Sequence, residues 1–203
     1  MNTIATREDL RGCYPQPLER SLRKSLPALD AHMHRFISLS PFLCLGTSSA
    51  GGSDVTPRGD APGFVQVLDD RTLLIPDWPG NNRLDSLTNV VANPSVGLLF
   101  FIPGVNETLR INGVAEISME PALLERWTVK GKQPRSAMRV TVREAYLHCA
   151  KALIRSKLWE EDYRVERAEL PSYAQMLKDQ NVTTQSVEEL QAAIDESYAT
   201  RLY

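Results

Sequence analysis

Short runs of apolar residues, several of them alternating with polar ones, recur through the middle of the chain and are typical of β-strands. Six segments stand out: SPFLCLGTSS (40–49), GFVQVLDD (63–70), RTLLIPD (71–77), SVGLLFFIP (95–103), ETLRINGVAEISM (107–119) and MRVTVREAYLH (138–148). After the first of them, SDVTPRGD (53–60) reads as a return segment. Most links are short enough for hairpins, so the pattern favours an antiparallel barrel over a doubly wound parallel sheet.

Helical periodicity flanks these segments. Leu29, Met33, Phe36 and Ile37 share one face of a helix predicted to end near residue 39. Further helices are predicted after Pro121 and, weakly, in the polar tail. The prediction is one domain of mainly β (α+β) class, with a helical segment at 1–39, an antiparallel barrel at 40–148 and a helical segment at 149–203.

A loop rich in turn residues, IPDWPGNN, precedes another predicted helix that ends before Pro94. Asn82 is its predicted N-cap, and Arg83 falls in its first turn. The unpaired N–H groups and partial positive charge of a helix N-terminus favour an anion, to which an arginine adds a charge-assisted hydrogen bond. An arginine that is merely solvated is the open alternative.

The return segment carries a second candidate for anion binding. Thr56 and Arg58 alternate along extended backbone, so they are predicted to project to the same side. A hydroxyl and a guanidinium group together suit a phosphate. A surface pair between Arg58 and Asp60 is the competing interpretation.

The stretch HCAKALIRSKLW (148–159) predicts a helix with two stripes. Lys151, Arg155 and Trp159 recur every fourth residue along one stripe, which suits an anionic aromatic ligand. A neighbouring apolar stripe of Ala150, Ile154 and Leu158 is predicted to dock the helix. A solvated basic face is again the alternative.

Composition limits the kinds of partner that this chain is expected to bind. The chain has 203 residues, a net charge of −2 and an isoelectric point near 6.0, without the basic excess typical of nucleic-acid binders. No segment has the length of a membrane span, and no apolar leader is recognised at the start. Three widely spaced cysteines suit reduced thiols. The expectation is a cytoplasmic protein that binds neither nucleic acid nor membrane.

Several kinds of site find no support in the pattern. Dinucleotide-binding and P-loop glycine motifs are missing from the sequence. His32 and His34 point apart on a helix, so no metal site is predicted, and His148 beside Cys149 does not form a nucleophile pair. Phosphate-type recognition without a protein nucleophile fits a site where a bound cofactor supplies the chemistry. No catalytic residue is assigned.

The stretches TPRGDAPGFVQVLDDRTLLIPDWPGNNRLDSLTNVVANPSVGLLFFIPG and ETLRINGVAEI resemble the flavin-binding split-barrel family related to pyridoxamine 5′-phosphate oxidase. HCAKALIRSKLW resembles a segment of an uncharacterised bacterial subfamily. The resemblance covers about two thirds of the chain. It implies a six-stranded split β-barrel with peripheral helices, a homodimer with FMN at its interface, and a small-molecule substrate.

By position, the resemblance also assigns cofactor-binding residues. It implies that Arg58 and Arg83 hold the FMN phosphate and that no side chain needs to act as a nucleophile. The resemblance implies that Thr56, the backbone of Val55 and Pro57, and Thr108 contact the flavin. It places Pro76, Asp77 and Asn82 beside the ribityl chain and phosphate. The partner subunit is expected to supply the segment 133–136 and Lys151 or Arg155.

The chain departs from the family pattern in two places. Asn82-Arg83 stands where pyridoxamine phosphate oxidases have an arginine-lysine pair, and their substrate-clamping C-terminal segment is not recognisable. Pyridoxamine phosphate is therefore not the expected substrate. An FMN-dependent oxidoreductase is the leading hypothesis; a non-catalytic flavin or haem binding protein and a deazaflavin F420-dependent reductase are the alternatives.

Overall fold

A computed structural model describes residues 3–203. Its strands are β1 Phe42–Ser49, β2 Gly52–Gly59, β3 Gln66–Asp69, β4 Thr72–Asp77, β5 Ser95–Phe101, β6 Thr108–Ser118 and β7 Ser136–His148. Its α-helices are α1 Arg7–Gly12, α2 Glu19–Arg23, α3 Ala31–Leu39, α4 Asp85–Ala92, α5 Pro121–Leu124, α6 Lys151–Ser156, α7 Tyr173–Asp179 and α8 Val187–Thr200. Short 3-10 turns lie at Glu125–Trp127, Glu161–Tyr163 and Arg167–Glu169.

All seven strands form one sheet in the order β2-β1-β5-β6-β7-β4-β3, and every neighbouring pair is antiparallel. The mainly antiparallel class is thus confirmed. The six-stranded barrel is corrected to seven strands in an unclosed sheet, because β2, read as a return segment, pairs with β1 along its whole length. Its side chains alternate only between exposed and half-buried, so β2 has no apolar signal in the sequence.

The core lies on the inner face of this curved sheet. Leu43, Leu45, Leu98, Phe100 and Ile111 are almost completely buried there. Each such side chain contributes roughly 1.5–3 kcal/mol relative to remaining exposed. The core holds the strands in register, and with them the loops that carry polar side chains.

Helix α3 covers part of the core through the face predicted for it. Leu29, Met33, Phe36 and Ile37 are all buried. Asp30 caps the helix, because its Oδ1 accepts a hydrogen bond from the backbone N–H of Met33 at 2.8 Å.

A β-bulge between Asn112 and Gly113 shifts the register of β6 against β7. A Cβ atom at Gly113 would overlap the carbonyl oxygen of Thr141, so only glycine fits this close approach of two backbones. The bulge increases the local twist and helps to curl the sheet.

The N-terminal segment is attached to β7. Leu26 and Ala145 exchange two backbone hydrogen bonds of 2.9 and 2.8 Å. Beside them, Glu144 accepts a hydrogen bond from Ser25 Oγ at 2.5 Å and another from Asn112 Nδ2 at 2.7 Å. The Ser25 hydroxyl, followed by the Asn112 amide, lowers the pKa of Glu144.

The tail forms a pair of packed helices, α7 and α8, and then returns to the sheet. The Tyr203 hydroxyl donates to Asp60 Oδ1 at 2.8 Å, and its ring meets Trp78 edge-on with centroids 4.9 Å apart. Lys132 Nζ donates to the backbone oxygen of Tyr203 at 2.7 Å. Over residues 3–203, no helix combines the length and the apolar character needed to cross a membrane.

Candidate functional site

A cavity of about 390 Å³ lies where β2 approaches the end of β4 and the start of α4. Apolar side chains, among them Trp78, Leu87, Ile117 and Met119, form part of its wall. Its polar lining includes residues assigned from the resemblance: Thr56, Arg58, Asp77, Asn82, Arg83, and Arg135 and Ser136 of the segment 133–136. Ser86, which was not assigned, also lines it. The structure therefore brings together both sequence segments that predicted an anion site.

Arg58 and Asp77 form the innermost charged pair of the cavity. Arg58 Nη1 donates to Asp77 Oδ1 at 2.8 Å, and the two side chains are 23% and 17% exposed. Arg58 therefore pairs with Asp77 of β4, and not with Asp60 as the competing interpretation held. Thr56 projects to the same side, as predicted, and its Oγ1 lies 2.9 Å from Ser86 Oγ.

The loop before α4 differs from the prediction. The helix begins at Asp85 with Leu84 as its N-cap, so Asn82 is not the cap and Arg83 precedes the first turn. Asn82 and Leu84 have positive φ angles of 58° and 60°, which bend the chain before the helix begins. Asn81 Oδ1 accepts from the backbone N–H of Arg83 at 3.0 Å and stabilises this turn.

Arg83 lines the mouth of the cavity and is largely exposed, at 73%. Its Nε donates to Asp85 Oδ2 at 2.8 Å, and this hydrogen bond raises the pKa of Arg83. Asp85 occupies the first helical turn, where a carboxylate is favourable. The helix N-terminus is thus already partly neutralised by an acidic residue of its own.

Arg135 is a third arginine in the cavity. The resemblance assigned it only as part of the segment 133–136 and placed that segment in the partner subunit, whereas here Arg135 and Ser136 line the same chain's cavity as Arg58. Its backbone N–H donates to the carbonyl oxygen of Asp77 at 3.0 Å, and its Nη1 lies 3.4 Å from Asn82 Oδ1. It reaches the cavity because β4 pairs with β7 in a register that places Asp77 opposite Ser136. Local patterns around GKQPRS carry no signal for that pairing.

The lining includes several hydrogen-bond donors that suit an anionic ligand. The guanidinium groups of Arg58, Arg83 and Arg135 and the hydroxyls of Thr56 and Ser86 belong to it. Arg58 Nε and Trp78 Nε1 have no partner among the described residues, but both atoms have almost no accessible surface. The lining donors suit a ligand rich in acceptor oxygens, such as a phosphate ester with a polyol chain. No group of three or more His, Cys, Asp or Glu side chains suited to a metal occurs within residues 3–203.

The remaining assigned residues lie outside this cavity. Val55 and Pro57 are exposed and alternate with Thr56 and Arg58 along β2. Val55 and the buried Thr108 line a second, more apolar cavity of about 530 Å³. Pro76 is buried within β4. Strand β2 contributes Thr56 and Arg58 to the first cavity and Val55 to the second, whereas Pro57, Pro76, Lys151 and Arg155 line neither.

Helix α6 is shorter than predicted. It ends at Ser156, because Lys157 adopts a left-handed conformation. Trp159 therefore does not continue the stripe of Lys151 and Arg155, and its Nε1 donates to the carbonyl of Val105 at 2.9 Å. The basic pair Lys151 and Arg155 is exposed.

The apolar stripe predicted to dock α6 is also corrected. Ile154 and Leu158 are more than half exposed, whereas Leu153 is the buried residue of this helix. The shorter helix turns a different face to the sheet, and Leu153 lines the second cavity beside Cys149.

Comparison with known proteins gives three results. The sequence profile of the family described as pyridoxamine 5′-phosphate oxidase matches residues 29–149, a span that includes Arg58, Arg83 and Arg135. No curated protein matches the chain. Among similar solved structures, HupZ from Group A Streptococcus is 18% identical, with a TM-score of 0.48 over 59% of this chain and 93% of that one.

Two further solved structures are similar. General stress protein 26 from Bacillus anthracis is 16% identical, with a TM-score of 0.41 over 57% of this chain and 93% of that one. A conserved hypothetical protein from Mycobacterium tuberculosis is 18% identical, with a TM-score of 0.46 over 70% of this chain and 94% of that one.

Proposed function

We propose that this chain, which belongs to the pyridoxamine 5′-phosphate oxidase family, binds FMN and acts as an oxidoreductase on a small organic molecule. One observation carries the proposal. A single cavity collects three arginines together with the hydroxyls of Thr56 and Ser86. A phosphorylated, oxygen-rich cofactor would accept hydrogen bonds from these groups.

The roles of the residues follow from their positions in the cavity. Arg58 and Arg83 bind the phosphate, and the hydroxyls of Thr56 and Ser86 add short-range hydrogen bonds to it. Trp78 supplies an apolar wall. FMN, when bound, supplies hydride or electron transfer, so no side chain of the cavity needs to act as a nucleophile.

A second copy of the chain completes the proposed site. Val55 and Thr108 face a cavity other than the one that holds Arg58, so one chain cannot present all of the assigned residues to one ligand. The outer face near the second cavity also exposes Phe42 and Val55. Apolar patches of this kind are typical of subunit contacts. Sedimentation of the purified protein at several concentrations tests the dimer, and a monomer at all of them would contradict it.

The cofactor is tested by purifying the protein and recording its absorption spectrum, then titrating it with FMN. A yellow protein, or saturable uptake of FMN, is expected. Mass spectrometry of cofactor released from the purified protein separates FMN from deazaflavin F420 and haem. A colourless protein that takes up no added FMN would remove the proposal.

A flavin-binding protein without turnover is the second candidate function. It is favoured by the state of the cavity's carboxylates, because Asp77 and Asp85 are each already paired with an arginine. Neither is therefore free to act as a general acid or base. This candidate is tested by reducing the bound flavin with a nicotinamide donor and then adding oxygen or quinones. Sustained turnover of the donor would argue against it.

A further inference from the structure

Helices α1 and α8 both lie outside residues 29–149, the span that matches the family profile. Neither helix contains a buried residue. A short helix gains most of its stability by packing an apolar face against another element. Within one chain, α1 and α8 therefore leave most of their surface available for a further contact.

Helix α1 presents a face that is both basic and apolar. Four residues at or just beyond the helix recur at the spacing of neighbours on one side: Arg7, Leu10, Arg11 and Tyr14. Leu10 and Tyr14 are 45% and 59% exposed. Among residues 3–203, the ion pairs include neither Arg7 nor Arg11. This face thus offers two free positive charges beside two exposed apolar side chains.

An apolar groove of about 720 Å³ lies between α8 and the turn that precedes α7. Its apolar lining consists of Ala168, Leu170, Tyr173, Ile194 and Tyr198. Leu170 and Tyr198 are each more than half exposed. The one cation in the lining, Arg167, is held by the backbone, because its guanidinium group donates to two carbonyl oxygens at 2.9 and 3.1 Å.

The side of α8 that lines the groove is acidic. Glu188 and Asp195 lie three residues before and four residues after Gln191, which lines the groove. Gln191 Nε2 donates to Asp195 Oδ1 at 2.8 Å, so this carboxylate lies at the edge of the groove. Neither Glu188 nor Asp195 belongs to an ion pair of the described residues. Helices α7 and α8 together carry five acidic residues and one lysine.

We infer that helix α1 of one copy docks in this groove of a second copy of the chain. Leu10 and Tyr14 fill the groove, and the two arginines of α1 face Glu188 and Asp195. The charges and the apolar residues of the two surfaces complement each other, yet both surfaces stay exposed in the single chain. Two-fold symmetry makes the contact reciprocal, because each copy contributes one helix α1 and one groove. The inference goes beyond the proposed function, since it involves no residue of the cofactor cavity.

Charge reversal with complementation tests the inference. The α1 variant is Arg7→Glu/Arg11→Glu, and the α8 variant is Glu188→Lys/Asp195→Lys. Like charges meet when either variant associates with itself, whereas opposite charges meet in a mixed pair. Sedimentation measures the dissociation constant of self-association. We expect it to rise about tenfold or more for each variant and to return towards the wild-type value in an equimolar mixture.

Hydrogen exchange followed by mass spectrometry locates the contact. Peptides from α8 should exchange faster in the α1 variant, although their own sequence is unchanged, and mixing the two variants should restore their protection. Arg126→Glu/Lys130→Glu is the matched control, because it reverses two exposed positive charges that lie in neither surface. It should leave self-association within about twofold of the wild-type value. Far-ultraviolet circular dichroism of each variant verifies the fold.

Three results would overturn the inference. The first is unchanged exchange of α8 in the α1 variant. The second is faster exchange that mixing does not reverse, which would place the contact within one chain. The third is a wild-type protein that stays a monomer at every concentration. None of these measurements involves a flavin, so uptake of FMN tests the proposed cofactor separately.

Discussion

Arg58 of β2 and Asp77 of β4 form an ion pair of 2.8 Å between strands that four other strands separate in the sheet. The backbone sheet remains open, and this pair links the edge strand β2 to β4, the neighbour of the other edge strand β3, through side chains. Nearby, Ser86 of α4 donates to Asp54 of β2 at 3.1 Å and reinforces the same approach. The candidate site thus lies where the unclosed sheet is bridged by polar side chains.

Asp77→Asn should have opposite effects on stability and on phosphate binding. The half-buried Arg58 loses its charged partner, so the free energy of unfolding should fall by about 1–3 kcal/mol without ligand. The released guanidinium should bind inorganic phosphate more tightly. Urea unfolding and phosphate titration measure the two effects. Asp85→Asn, at the exposed Arg83, should change stability little, and a larger loss there than at Asp77 would contradict the assignment.

Arg58→Ala should weaken FMN binding by about ten- to a hundredfold, because it removes a charge-assisted hydrogen bond at the buried end of the cavity. Arg83→Ala should weaken it less, since that side chain is 73% exposed and already bound to Asp85. Arg23→Ala, on the distant helix α2, should have no effect. Fluorescence titration gives all three constants, and equal values for Arg23→Ala and Arg58→Ala would mean that the site is misplaced.

Glu144 should make attachment of the N-terminal segment pH-dependent. Its pKa is lowered in the folded state, chiefly by the Ser25 hydroxyl and then by Asn112. A lowered pKa means that the stabilisation is fully present above the ordinary glutamate pKa and is lost as pH falls through the folded value. The protection factors of the Leu26 and Ala145 amides against hydrogen exchange, which are corrected for the intrinsic pH dependence of exchange, should therefore fall on acidification. Glu144→Gln should show lowered protection factors already at neutral pH and a weaker pH dependence.

Gly113→Ala should destabilise the protein strongly, because the new methyl group would overlap the backbone of Thr141 at the bulge. Overpacking of this kind costs about 1–3 kcal/mol, and more where the neighbour is backbone. Gly12→Ala is the control, since nothing lies within 4 Å of a Cβ built there. Thermal unfolding compares the two variants. Similar melting temperatures would show that the backbones of Gly113 and Thr141 do not approach each other closely at the bulge.

Tyr203→Ala should alter the surroundings of Trp78, because it removes the ring that meets the indole edge-on. Tyr203→Phe keeps the ring and loses only the hydrogen bond to Asp60, so it should have a smaller effect. Near-ultraviolet circular dichroism reports the change. If neither variant's spectrum differs from that of the wild-type protein, the tail does not pack on the cavity wall in solution.

Local pattern accounts for much of the fold. Alternation and apolar runs predicted the positions of β1 and β3 to β7, and helical spacing predicted the buried face of α3. Alternation also placed Thr56 and Arg58 on one side of their strand. The pattern did not predict where helices begin and end, as at Leu84 and Lys157, because positive φ angles at non-glycine residues depend on contacts elsewhere in the chain.

Side-chain periodicity follows from backbone geometry, so it can be recognised from neighbouring residues. The sequence alone therefore predicted the strands, the mainly antiparallel class and the candidate arginines of β2 and of the loop before α4. The partner of Arg58 and the position of Arg135 could not be predicted in this way, whereas Arg83 pairs locally with Asp85. Asp77, and not Asp60, neutralises Arg58, and Arg135 enters the cavity uncompensated, because the register of β4 on β7 and the approach of β2 to β4 bring distant residues together. Those contacts arise from packing of the whole sheet around its core, which no short stretch of sequence encodes.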